Sequence, residues 1–62
     1  MTRKKHKKNI MSVMTHTPQT ISEIAIKSAT KPQIVAYFMH AEDIIKVISI
    51  RKNNHLINHY YI

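Results

Sequence analysis

The chain has 62 residues and a formal net charge of +7, from ten Lys and Arg against three Asp and Glu, and it contains neither cysteine nor glycine. One domain is the only sensible count at this length, and a domain so small buries a modest share of its surface. Without cysteine there is no disulfide and no thiolate zinc site. Three carboxylates and no Gly-rich loop leave no nucleophile, base and oxyanion hole to assemble, so no enzyme is expected.

Half of the basic residues stand at the start, in MTRKKHKK: Arg3, Lys4, Lys5, Lys7 and Lys8. Residues 1–8 are therefore read as a basic, flexible N-terminal arm, and residues 9–62 as the domain. Such an arm favours polyanions, above all nucleic acid, although a plain solubilising tail has the same composition. No apolar run approaches the roughly 18–20 residues needed to span a bilayer. No signal-type apolar region follows the basic start, and the arm lacks an aromatic or leucine face for a membrane surface. A cytoplasmic chain with no membrane partner is expected.

From about Lys7 the pattern turns helical. Ile10, Val13 and Met14 share a face, and the helix should end near Thr15 because Pro18 disfavours helix just before it. HTPQ, 16–19, reads as a loop. Thr20 and Glu23 then form a T-x-x-E capping box, with Ile21, Ile24, Ala25 and Ser28 on one face. Thr30 and Gln33 offer a second box, with Pro32 in the first turn where a missing N–H costs little. Ile34, Val35, Phe38 and Ala41 make the core stripe of this third helix, about 31–42. Met39 is read as exposed beside that stripe.

The period changes after the third helix. IIKVISIRK, 44–52, and HLINHYYI, 55–62, are β-prone, and Asn53-Asn54 between them tolerates the positive φ angles of a two-residue hairpin turn. That loop pairs Lys52 with His55, Ile50 with Ile57 and Ile48 with His59. Neither strand face alternates cleanly, so the register stays open by one residue.

Two short capped helices joined by almost nothing must cross steeply, as in a helix-turn-helix. The third helix then presents Lys31, Gln33, Ala36, Tyr37 and His40 opposite its core stripe. These are small or hydrogen-bonding groups, and only Lys31 carries a full charge. That suits a helix lying in a major groove, where Gln can pair with adenine and a methyl can meet thymine. The hairpin tip, Arg51, Lys52, Asn53, Asn54 and His55, suits phosphate or minor-groove contacts. The fold expected is α+β, a winged helix-turn-helix of three helices followed by a two-stranded β-hairpin wing.

The segments KNIMSVMT, TISEIA, TKPQIVAYFMHAED, IIKV and HYYI resemble the winged-helix transcription regulators. Within them, the chain is most similar to the small fimbrial-operon regulators of the FaeA/PapI type, over about residues 8–62. Two departures stand out. The usual glycine between the third helix and the first wing strand is missing near Asp43 and Ile44, and the first helix reads as short. The resemblance implies a bacterial, nucleoid-associated DNA-binding regulator that acts at a promoter region with a second, more abundant DNA-binding protein.

The partner expected is thus double-stranded DNA, with a co-regulator protein and without a small-molecule substrate. With no long extra helix to dimerise on, a monomer in solution is expected. The competing reading is a protein-interaction adaptor or antirepressor that docks on another regulator through the winged-helix surface, using Tyr37 and Met39. The five histidines do not make a metal site: His55 and His59, four residues apart in a strand, lie ~13 Å apart at ~3.3 Å per residue. No metal and no cofactor is expected.

Overall fold

The computed structural model describes residues 2–62, with side chains from Lys5 onward. The order is α1 (Thr2–Val13), α2 (Ile21–Ser28), α3 (Pro32–Ala41), β1 (Lys46–Lys52) and β2 (His55–Tyr61). This is the winged helix-turn-helix layout: three helices, then an antiparallel two-stranded hairpin. The molecule is elongated, 40 × 20 × 17 Å.

The core is one cluster drawn from every helix and from β2: Ile10, Met14, Ile24, Ala25, Val35, Phe38, Met39 and Tyr60. Ile10 and Met14 lie one turn apart and face the two crossing helices. Small Ala25 lets α3 approach α2. Ile10, Ile24 and Val35 are fully enclosed, so truncating either isoleucine to Ala costs about 2–5 kcal/mol, a large share of what so small a core supplies.

The helix expected from Lys7 begins at Thr2. The basic stretch is thus the first turns of a 12-residue helix, continuous with its buried half, and not a separate segment. Lys7 pairs with Glu42, just past the end of α3, at 3.2 Å. So half-exposed a pair contributes about 0–1 kcal/mol, yet it ties the charged half of α1 to α3.

The predicted capping box of α2 is present in both directions. The Thr20 N–H donates to Glu23 Oε1 at 2.8 Å, and the Glu23 N–H donates to Thr20 Oγ1 at 3.1 Å. The second box does not form. The N-cap of α3 is Lys31, which makes no side-chain cap, and Thr30 belongs to the end of α2 instead. Ala29 adopts a left-handed conformation with φ 52°, and its N–H donates to Ile26 O while the Thr30 N–H donates to Ala25 O. This is a Schellman closure, which satisfies two of the last carbonyls of α2. The Thr30 hydroxyl turns back to Ser28 O at 3.0 Å, so it is unavailable to α3.

In α3 the stripe is shifted from the expected one. Val35, Phe38 and Met39 are buried, Ile34 is half-buried and Ala41 is exposed. Met39 is therefore a core residue: at i+4 from Val35 it sits on the same inward line.

The hairpin register is the predicted one throughout, from Lys52↔His55 to Lys46↔Tyr61. Asn53 and Asn54 both take positive φ, 52° and 66°. That pair of left-handed residues gives the two-residue turn whose twist matches the strands. No positive φ occurs between Glu42 and Ile45, so the missing glycine is not needed there. The segment read as the loop 16–19 also holds an unpredicted element. Gln19 forms a β-bridge with Tyr60, a one-residue third strand that clips the wing to the helices. Ile62 donates its N–H to Thr15 O at 3.0 Å, and the His16 ring meets the Ile62 carbonyl, continuing the same seam.

Candidate nucleic-acid interface

The exposed side of α3 is set by the core on its other side. With Val35, Phe38 and Met39 inward, positions 33, 36, 37 and 40 fall together on the outer face by the helical period. Gln33, Ala36, Tyr37 and His40 do share one open concavity there, joined by Ala41, which sequence reasoning had assigned to the core. Tyr37 stands edge-on to Phe38, with ring centroids 5.3 Å apart, so the packed ring beneath orients the exposed one. His40 stands edge-on to Tyr60 of β2 at 6.2 Å. The last turn of α3 therefore abuts the base of the wing.

Lys31 is exposed at the N-terminus of α3. Its carbonyl accepts the Ile34 and Val35 N–H groups at 3.0 and 3.1 Å. No side chain caps this end, so the positive pole of the helix faces solvent beside a lysine. The face offers an ammonium, an amide, a methyl, a phenol and an imidazole. It can donate and accept hydrogen bonds and meet a methyl group, and it carries no carboxylate between residues 31 and 41.

Arg51, Lys52, Asn53, Asn54 and His55 are all exposed at the turn end of the hairpin. Lys5, Lys7 and Lys8 are exposed on α1, with Lys7 engaged by Glu42. The side chains of Arg3 and Lys4 lie outside the described residues.

One carboxylate has a perturbed titration. The Thr20 backbone N–H holds the Glu23 carboxyl below its ordinary range; desolvation opposes it, and the Thr20 hydroxyl, Lys27 and His59 add smaller lowering effects. It is a capping group and stands on α2, apart from the α3 face. Among the described residues no cluster of three His, Cys, Asp or Glu could hold a metal ion, and no helix is long and apolar enough to cross a membrane.

Two features escaped sequence reasoning. Gln19 is buried, donates from Nε2 to Val13 O at 3.2 Å and accepts from Lys27 Nζ at 2.7 Å. A glutamine after Pro18 in a polar loop gave no sign of this. The wing also exposes many aliphatic side chains, and here a signal existed: branched residues on both strand faces of a hairpin that has only two strands to cover them.

No family model, curated protein or solved structure matches the chain.

Proposed function

We propose that the chain is a sequence-specific, double-stranded DNA-binding transcriptional regulator. In this reading α3 lies in the major groove, with Lys31, Gln33, Ala36, Tyr37 and His40 toward phosphate and base edges. The hairpin tip, Arg51 to His55, meets the backbone or the minor groove, and the lysines of α1 add phosphate contacts. The observation that carries the reading is the outer face of α3: exposed, free of carboxylates, and lined by Gln33, Ala36, Tyr37 and His40 on one concavity. A merely solvated helix face would more often carry several Lys and Glu. The net charge of +7 supports affinity for a polyanion. The resemblance to the small fimbrial-operon regulators supports a cytoplasmic, nucleoid-associated monomer that acts with a second DNA-binding protein.

The test is selection from random duplex DNA at about 150 mM salt, where binding driven by phosphates alone is weak. An enriched motif is the expected result. Recovery of random sequence would overturn direct readout by α3.

A second reading, an adaptor that docks on another regulator, draws support from the wing and not from α3. Met39 is buried and adds nothing to a docking face. Ile48, Ile50 and Leu56 of the hairpin are exposed.

A further inference from the structure

The hairpin has an unused edge, and its geometry follows from the register. In an antiparallel pair, residues alternate between those bonded to the partner strand and those whose N–H and C=O face outward. Tyr60 is of the second kind, because its amide and carbonyl bond away from β1, to Gln19. Its cross-strand partner Val47 therefore also faces outward, on the other side of the sheet. The two-residue period adds Ser49 and Arg51. Among the described residues no group bonds the backbone of Val47, Ser49 or Arg51 along that edge, since the sheet has only two strands and β1 is paired on one side alone. Exposed edges of this length are usually blunted by charged side chains, proline or a bulge. β1 has neither proline nor bulge, and its charges, Lys46, Arg51 and Lys52, stand only at its two ends.

The edge is flanked by apolar surface. Ile48, Ile50 and Ile57 lie on one face of the hairpin and are 46, 40 and 36% exposed. At the two ends of β1, on the same face, stand Lys46 and Lys52. Residues 44–62 contain Lys46, Arg51 and Lys52 and no carboxylate. The strip thus presents, at alternate positions, cation, apolar, apolar, cation.

That pattern selects its occupant. A second copy paired antiparallel about Ser49 would set each Lys46 opposite the Lys52 of the other copy, and like charges directly opposite are destabilising. A nucleic acid could take the outward N–H groups but would leave the outward carbonyls and the isoleucines without partners. We propose that the outer edge of β1 docks an extended segment of another protein as a third strand. The segment would carry carboxylates at its first and seventh positions and branched apolar side chains at its third and fifth. Main-chain bonds to Val47, Ser49 and Arg51 supply the pairing, Ile48 and Ile50 take the apolar side chains, and Lys46 and Lys52 set the charge preference. The inference does not rest on the reading of α3.

The test titrates the ¹⁵N-labelled full chain with the peptide Glu-Thr-Val-Thr-Val-Thr-Glu, and separately with a version bearing Lys at both ends. The expected result is slowed amide exchange confined to Val47, Ser49 and Arg51, with the carboxylate peptide binding at least about threefold more tightly, as two opposite-charge cross-strand pairs require. Ser49→Pro removes an outward N–H without breaking a ladder bond, so it should abolish peptide binding. Ile50→Thr should weaken it without touching the backbone, and serves if the proline variant does not fold. Duplex binding is read in the same samples and should not change in either variant. Absence of binding, equal binding of the lysine peptide, or peptide binding that survives both substitutions would overturn the proposal. So would protection of these three amides by self-association of the free chain, or by duplex DNA alone. Peptide binding without any duplex binding would leave this edge assigned and overturn the DNA-binding reading instead.

Discussion

Gln19 and Tyr60 exchange both backbone hydrogen bonds, Gln19 N–H to Tyr60 O at 3.0 Å and Tyr60 N–H to Gln19 O at 2.7 Å. The bridge joins the segment between α1 and α2 to the last strand of the wing. The Gln19 side chain extends the junction, bonding the Val13 carbonyl at the end of α1 and the Lys27 ammonium of α2. One buried residue therefore holds three elements. Gln19→Leu keeps the bridge and the volume but strands the Val13 carbonyl. It should cost about 1–3 kcal/mol. At ~4–8 °C per kcal/mol for a domain of this size, the loss is readable in a thermal melt. A melting temperature within a degree or two of the parent would show that water replaces the amide freely.

With no glycine in the chain, three of the described residues adopt left-handed conformations: Ala29, Asn53 and Asn54. Asparagine tolerates this region and alanine does not, the penalty for an ordinary residue being about 1–2 kcal/mol. Ala29→Gly removes that strain and gives back part of the gain to the freer unfolded chain. A net stabilisation of about 0.5–1 kcal/mol is expected from urea unfolding. Asn54→Gly, in the turn, should be neutral to stabilising, and Asn54→Val should destabilise. Destabilisation by Ala29→Gly would mean that the alanine methyl makes a packing contact worth more than the strain.

Glu23 links stability to pH. Its folded-state value is lowered, first by the Thr20 N–H. A carboxyl of this kind contributes stability that is fully present above its unfolded value of about 4.3 and is lost as the pH falls through the lower folded value. Glu23→Gln keeps an acceptor for the Thr20 N–H but does not titrate. The parent should therefore melt higher than the variant near neutral pH, with the gap closing as the pH is lowered through the acid range. A gap independent of pH would remove the capping carboxylate from the acid limb of the stability curve. Thr20→Ala, which deletes the other half of the box, should cost about 1 kcal/mol near neutral pH.

Much of this fold was legible because local signals agreed with one another. The T-x-x-E box started α2 at the right place, and Asn53-Asn54 marked the turn and offered the register that the structure adopts, which the strand faces alone left open by one residue. Where two local signals competed, the pattern misled. Thr30 fits a cap for α3, but its amide and hydroxyl are taken by the closure of α2, a claim that depends on Ala29 adopting a conformation alanine disfavours. The start of α1 was missed because TRKKHKK has no apolar period, and helix there is carried by continuity with the packed turn at Ile10 and by the Lys7–Glu42 pair. On α3, Gln33, Ala36, Tyr37 and His40 were found together, since the helical period alone places them. Met39 and Ala41 exchanged roles because the stripe of a ten-residue helix can rotate by one residue without changing its hydrophobic count. Gln19 was illegible, being a long-range contact of a residue with no local pattern.

The division of labour on the proposed interface separates two substitutions. Gln33 stands on the α3 face, where an amide can pair with a base edge; Lys52 stands at the wing tip, where an ammonium meets phosphate. Gln33→Ala should relax sequence preference, costing about 1–3 kcal/mol on the selected site and little on random duplex. Lys52→Ala should weaken selected and random duplexes about equally and reduce the slope of log affinity against log salt by about 1. Both are measured by titrating fluorescent duplexes at several salt concentrations. If the two variants lose affinity in the same way on every sequence, Gln33 reads no base and α3 acts as a charged and polar surface only. If Gln33→Ala has no effect while Lys52→Ala abolishes preference, the wing and not α3 carries recognition, and the assignment of roles is reversed.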